Sequence, residues 1–289
     1  MSKSTESFTA GVSRRNFILQ ASTAAGFCLL NCESSNGQID TTKVVRALDN
    51  VHVSHGKVNF RSGDGAIDAY LARPKKPGRF PVVIVITGNS INEEYIQNTT
   101  AMLAEKDFVG IAPNIFSLQK DSMSAEEKRK VFVERITDEV IFRDLQSSID
   151  YLRTQDFARR KGIGIMGFCF GGRCALMFAA KSREIAAVAP FYGNLRTPSF
   201  ANRKEDPLDV MNQIKAPVQG HYSNNDAEIP LDQLKSLETN LHARRIPVEI
   251  FTYAAQHGFF AYTRRTYQAD AANTSWQRTA DFFRKYLHK

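Results

Sequence analysis

Short apolar runs and longer amphipathic stretches alternate along most of this chain. The run Val82-Val83-Ile84-Val85-Ile86 is unbroken and β-branched, the pattern of a strand buried on both faces of a parallel sheet. Residues 109–113, 162–166, 185–191, 217–222 and 248–253 read as further strands. Between them, residues 91–105, 137–155, 174–180, 231–243 and 270–287 read as helices, and Val140, Ile141, Leu145, Ile149 and Leu152 share one face of the second. Two earlier runs, 58–60 and 67–71, flank the Gly-rich stretch 61–65 and predict an antiparallel hairpin. Strands alternating with helices predict an α/β fold, a mostly parallel central sheet with helices on both faces. Residues 117–133, charged but carrying Met123, Phe132 and Val133, fit a helical cap near a site or a solvated surface excursion.

The start of the chain breaks this pattern. A polar opening leads to Arg14-Arg15-Asn16-Phe17-Ile18-Leu19 and a mildly apolar run over 21–30. Paired arginines before such a run resemble a twin-arginine export signal, and the run is short for a membrane span. A cytosolic arm with a chance arginine pair is the alternative. Leu29-Leu30-Asn31-Cys32 also hints at lipoprotein processing. The expected organisation is a signal segment over 1–32, a polar linker over 33–44 and one domain over 45–289. The expected address is periplasmic or otherwise exported, with the export machinery as a partner; on the alternative it is cytoplasmic.

Composition narrows the function classes. At 289 residues, 43% hydrophobic and 24% charged, the chain suits a globular domain. A net charge of +8 without a long basic run argues against nucleic-acid binding. The six histidines show no close ligand spacing, so neither metal nor cofactor is expected. Of four cysteines, Cys28 and Cys32 fall in the signal segment, leaving Cys169 and Cys174 to the domain.

Cys169 stands where an apolar strand turns sharply into an apolar helix. Gly167-Phe168-Cys169-Phe170-Gly171 fits the G-x-S-x-G nucleophile elbow of α/β hydrolases, with sulfur in place of oxygen. In that fold the acid and then the base follow the nucleophile, each in a loop after a strand. Ser223-Asn224-Asn225-Asp226 supplies Asp226 after the 217–222 strand, and Gln256-His257-Gly258-Phe259 supplies His257 after the 248–253 strand. Singly, each has a bland reading: a small buried cysteine, a turn-capping aspartate, a surface histidine. Their joint order on three strand ends favours a Cys-Asp-His triad.

The elbow, Phe191-Tyr192-Gly193 and the Asp226 and His257-Gly258-Phe259 loops together resemble the dienelactone hydrolase family over about residues 45–289. The resemblance implies a small ester or lactone substrate, such as carboxymethylenebutenolide, opened through an acyl-cysteine. It implies oxyanion donors at Phe170 and, by alignment, Asn89, with Tyr192 and Phe259 contacting substrate. Thr87-Gly88 stands where the family has a His-Glu or Gln-Glu dipeptide, and Leu118 and Ala261 fall where its arginines are expected. Glu93, Glu94, Arg264 and Arg265 lie nearby in sequence, with surface exposure the expected fate of each. Without the glutamate, Cys169 is expected to pair with His257 directly. Competing readings are a non-catalytic periplasmic binding protein and a redox sensor; the latter needs a resolving cysteine, and Cys174 reads as core.

Overall fold

The computed structural model describes residues 44–197 and 203–288. The signal and linker expectations over 1–32 and 33–43 lie outside these residues. Eight strands form one sheet: β1 Val53–Ser62, β2 Gly65–Pro74, β3 Val82–Ile86, β4 Val109–Pro113, β5 Ile163–Phe168, β6 Ile185–Phe191, β7 Val218–Ser223 and β8 Val248–Tyr253. Their order is β1-β2-β4-β3-β5-β6-β7-β8. The hairpin β1–β2 is antiparallel, as is the β2–β4 pair, while β4, β3, β5, β6, β7 and β8 run parallel. Every residue of β3, β4, β5 and β7 is buried, which explains the apolar runs of β3, β4 and β5.

Helices cover the sheet: α1 Glu94–Glu105, α2 Ala125–Glu134, α3 Asp138–Arg153, α4 Phe170–Lys181, α5 Pro207–Val210, α6 Leu231–Ala243 and α7 Ala269–Leu287. The amphipathic face read from sequence on α3 is buried at Ile141, Leu145, Ile149 and Leu152, and Thr137 caps its start by accepting from the Val140 N–H at 3.3 Å. The 117–133 stretch is exposed over most of its length and is buried at Val131 and Phe132, the part that caps Phe170. Ser124 and Glu127 form a capping box that starts α2, a Ser-x-x-Glu signature readable in the sequence. Phe132 then turns inward and meets Phe170 edge-on at 5.0 Å.

Behind the sheet, His221 of β7 is fully buried, with Nδ1 2.9 Å from the Tyr253 hydroxyl and Nε2 2.9 Å from Thr279 Oγ1 of α7. Burial lowers its pKa to about 3, so it is a neutral structural link between β7, β8 and α7. The chain reaches β4 from β3, then crosses back to place β5 on the other side of β3. Loops leaving the carboxyl ends of β3 and β5 diverge at that reversal, which opens a crevice there.

Candidate active site

Cys169 follows β5 directly and adopts φ 55° and ψ −123°, a left-handed backbone that side chains rarely take. The strain is locked in by close packing around the turn. A side chain at Gly167 would run into the Gly171 carbonyl, and the Cys169 N–H is tied to Phe191 O at 3.0 Å. Gly167→Ala is therefore expected to destabilise the fold by about 3 kcal/mol, read as a lower denaturant midpoint at unchanged slope. Cys169, half-buried, holds the N-cap position of α4 without a side-chain capping hydrogen bond. Phe170, the first helical residue, presents an N–H for which the helix holds no acceptor.

Two further strand ends converge on this thiol. Asp226, three residues past β7, has a buried carboxylate; Oδ1 accepts the Glu228 N–H at 2.9 Å and Oδ2 lies 2.8 Å from His257 Nδ1. His257, four residues past β8, is packed against the Tyr192 ring at 5.0 Å. Its Nε2 is buried without a hydrogen-bond partner at normal geometry, yet lies within the electrostatic reach of Cys169. Burial disfavours the imidazolium, but the electrostatic and hydrogen-bonding influences of Cys169 and Asp226 outweigh it and hold His257 well above the usual imidazole range.

That shift has a sign. A histidine with a raised folded pKa adds stability that is full below its unfolded pKa, about 6.5, and is lost as pH climbs through the folded value. Cys169→Ala removes the strongest raising influence, so the fall in Tm as pH rises above about 6.5 should flatten in that variant. Parallel Tm–pH curves for the two proteins would contradict the pairing.

Several of the expected site residues have other partners. Asn89, expected as an oxyanion donor, gives its N–H to Thr87 Oγ1 at 3.0 Å within its own turn. Gly88 is the loop residue pressed against the elbow: a Cβ there would sit 2.8 Å from Phe168 O and 3.1 Å from Cys169 Cβ. No glutamate fits at that position without moving the elbow. Phe259, expected at the substrate, is fully buried between Tyr192 at 5.3 Å and Tyr253 at 5.2 Å, and packs beneath the site. Tyr192 packs against His257 on a backbone at φ 37°, with a buried hydroxyl that has no hydrogen-bond partner.

Glu93 and Arg264 also depart from expectation. They form an ion pair of 2.8 Å with side chains 21% and 19% exposed, turned inward. The Arg264 guanidinium lies 5.9 Å from the Tyr95 ring, which stands edge-on to Phe168 of the elbow. Burial, then the Glu93 charge, raises the pKa of the Tyr95 hydroxyl, and both Arg264 and Cys169 act on it electrostatically. Glu93, Arg264 and Cys169 thus all act on the Tyr95 and Tyr192 hydroxyls, although Gly88, Leu118 and Ala261 stand where other charged residues are expected. Glu94, by contrast, is half-exposed and pairs with Arg46, and Arg265 is exposed as expected. Ala261 is buried. Among the described residues no cluster suits a metal ion.

A mostly parallel sheet with a strained residue at a strand-to-helix elbow, and an aspartate and histidine at later strand ends, defines an α/β hydrolase. Within that class the chain belongs to the dienelactone hydrolase family, whose sequence profile matches residues 67–287. A protein of Methylorubrum extorquens described as "Putative carboxymethylenebutenolidase" is 29% identical over 276 residues, covering 94% of this chain and 93% of the relative. A Bradyrhizobium protein described as "Probable 2-oxo-3-(5-oxofuran-2-ylidene)propanoate lactonase" is 32% identical over 222 residues, covering 76% of this chain and 89% of its own length. The crystal structure of a Klebsiella pneumoniae protein described as "Putative Dienelactone Hydrolase" superposes with a TM-score of 0.73 at 29% identity, over 81% of this chain and 99% of the other. The protein is a hydrolase.

Proposed function

We propose that this hydrolase cleaves a small ester or lactone through an acyl-cysteine on Cys169, with His257 as base and then acid and Asp226 orienting it. The observation that carries the reading is the 2.8 Å Asp226–His257 bond, which aims the second imidazole nitrogen toward the thiol at the elbow. His257 holds the thiol proton as an imidazolium, and the thiolate attacks the carbonyl carbon. The resulting oxyanion meets the Phe170 N–H; a second donor comes from the 87–90 loop when the Asn89 N–H exchanges Thr87 Oγ1 for the oxyanion. Collapse expels the alkoxide, which takes the proton from His257; in a lactone this opens the ring. Water, deprotonated by His257, then hydrolyses the thioester and releases the acid.

Arg264 directs the choice of substrate. The Bradyrhizobium relative is named for a lactone that carries a propanoate. Here the buried side of the site offers one guanidinium, already facing the Glu93 carboxylate. A substrate carboxylate would compete with Glu93 for the Arg264 guanidinium. Arg264→Met is expected to raise KM for a carboxylate-bearing lactone by about thirtyfold and to leave p-nitrophenyl acetate nearly unaffected. Equal effects on both substrates would remove Arg264 from recognition. The broader reading is tested by a panel of esters and lactones: turnover must appear in wild type and vanish in Cys169→Ala.

The redox reading fares worse. Cys174 is fully buried in α4, and burial pushes its thiol up to about 12, so it is inert core rather than a resolving partner. Export rests on the Arg14-Arg15 pair followed by the apolar run over 21–30. Changing both arginines to lysine should retain the protein in the cytoplasm; continued export would remove the twin-arginine route.

A further inference from the structure

Two buried arginines outside this chemistry grip the residue after the nucleophile. Arg173, one turn along α4 from Cys169, is fully buried and meets both Asp138 oxygens at 2.8 Å, Thr197 Oγ1 at 2.6 Å and Glu205 O at 2.7 Å. Arg203 comes from a separate segment and its side chain is only 3% exposed. It donates to Ile136 O and lies 3.7 Å from the same Asp138, while its Nε and Nη2 have no hydrogen-bond partner. Two guanidiniums sharing one carboxylate, one of them with unanswered donors, is a costly arrangement to bury.

Aromatic faces offset that cost. The Arg203 guanidinium carbon lies 5.0 Å from the Phe170 ring centre and 4.8 Å from that of Phe132, and that of Arg173 lies 5.7 Å from Phe170. Phe132 of the cap also meets Phe170 edge-on at 5.0 Å. Held in this way, the Phe170 ring cannot change rotamer without breaking contacts with both cations and the cap. The backbone N–H of that same residue is the one aimed at the oxyanion.

We propose that Arg203 is a positioning residue for the oxyanion hole, acting through the Phe170 ring to fix the Phe170 N–H. The proposal rests on Cys169 being the acylated nucleophile. Arg203 touches neither substrate nor thiol, and its influence reaches only steps that build negative charge on the carbonyl oxygen. Misplacing a catalytic group by about 1 Å can cost about a hundredfold in rate, so a ring released from its clamp is enough to matter.

Two reactions of the same sulfur separate this role from a merely structural one. Acylation by p-nitrophenyl acetate passes through an oxyanion; alkylation by iodoacetamide displaces iodide at carbon and forms none. Arg203→Met should slow acylation by roughly thirtyfold while KM stays nearly constant. Alkylation should remain within about twofold of wild type. Phe170→Leu, which removes the gripped ring and keeps the amide, should give the same selective loss and serves alone if Arg203→Met does not fold. The double variant should be no slower than the slower single by more than about twofold, because both changes break one contact. Parallel loss of both reactions, loss of neither, or fully additive losses in the double variant would overturn the proposal. A wild type that alkylates at Cys169 but is never acylated would instead defeat the hydrolase reading, and this proposal with it.

Discussion

Cys169→Ala is expected to lower kcat for ester hydrolysis by about five to six orders of magnitude, with the protein still folded. Alanine keeps the backbone position but removes the only atom at the elbow that can form the acyl intermediate. Cβ at residue 169 is tolerated in the strained turn already, since cysteine carries one at φ 55°. Loss of activity would therefore not be a folding effect, and a circular dichroism melt confirms this. Cys169→Ser should fall between wild type and alanine. Its hydroxyl is a far weaker acid than a thiol, and the imidazolium pair proposed between His257 and sulfur would have no counterpart with oxygen at neutral pH. An alanine variant within tenfold of wild type would remove Cys169 from the chemistry.

Asp226→Asn is the second large effect, expected at about four orders of magnitude in kcat. The substitution is nearly isosteric, so Oδ1 can still accept the Glu228 N–H that anchors the loop. An amide facing His257 Nδ1 would, however, donate where the carboxylate accepts at 2.8 Å. The imidazole proton would be driven to Nε2, the nitrogen proposed to receive the thiol proton. The same change withdraws one of the charges that hold the imidazolium, so thiol alkylation near pH 6 should slow together with turnover. A variant that keeps its activity while losing the Asp226–His257 bond would make the aspartate a loop cap and nothing more.

Much of this architecture is legible in the chain because burial dictates it. The β-branched run of β3 has no polar residue, since both faces are covered, and that pattern admits few other readings. The elbow is equally plain: the contact between residues 167 and 171 leaves room only for glycine, so the strain at Cys169 is announced by its neighbours. Asp226 and His257 follow from topology alone, because loops leaving parallel strands in one direction gather at one edge.

What escaped is set by side-chain direction and loop path. Glu93 and Arg264 are 171 residues apart, and nothing local marks them as partners; each reads as a solvated charge until the loops after β3 and β8 are folded together. Gly88 looked like the loss of a glutamate and is instead a requirement of close packing against the elbow. Phe259 was assigned to the substrate from its place beside His257, but one residue of helical or turn progression suffices to swing an aromatic ring from the crevice into the core. The Asn89 amide is diverted by a threonine hydroxyl two residues earlier, a local hydrogen bond that competes with any longer-range role. Arg203 carries no sequence signal, since its function depends on reaching a ring from another segment.

The most direct test is a rapid acid quench of the enzyme with p-nitrophenyl acetate, followed by peptide mass spectrometry. The triad assignment predicts one acetyl group per chain on the peptide holding Cys169, accumulating in His257→Ala only far more slowly than in wild type. Acetylation of another residue at the wild-type turnover rate, or steady turnover in Cys169→Ala, would contradict it.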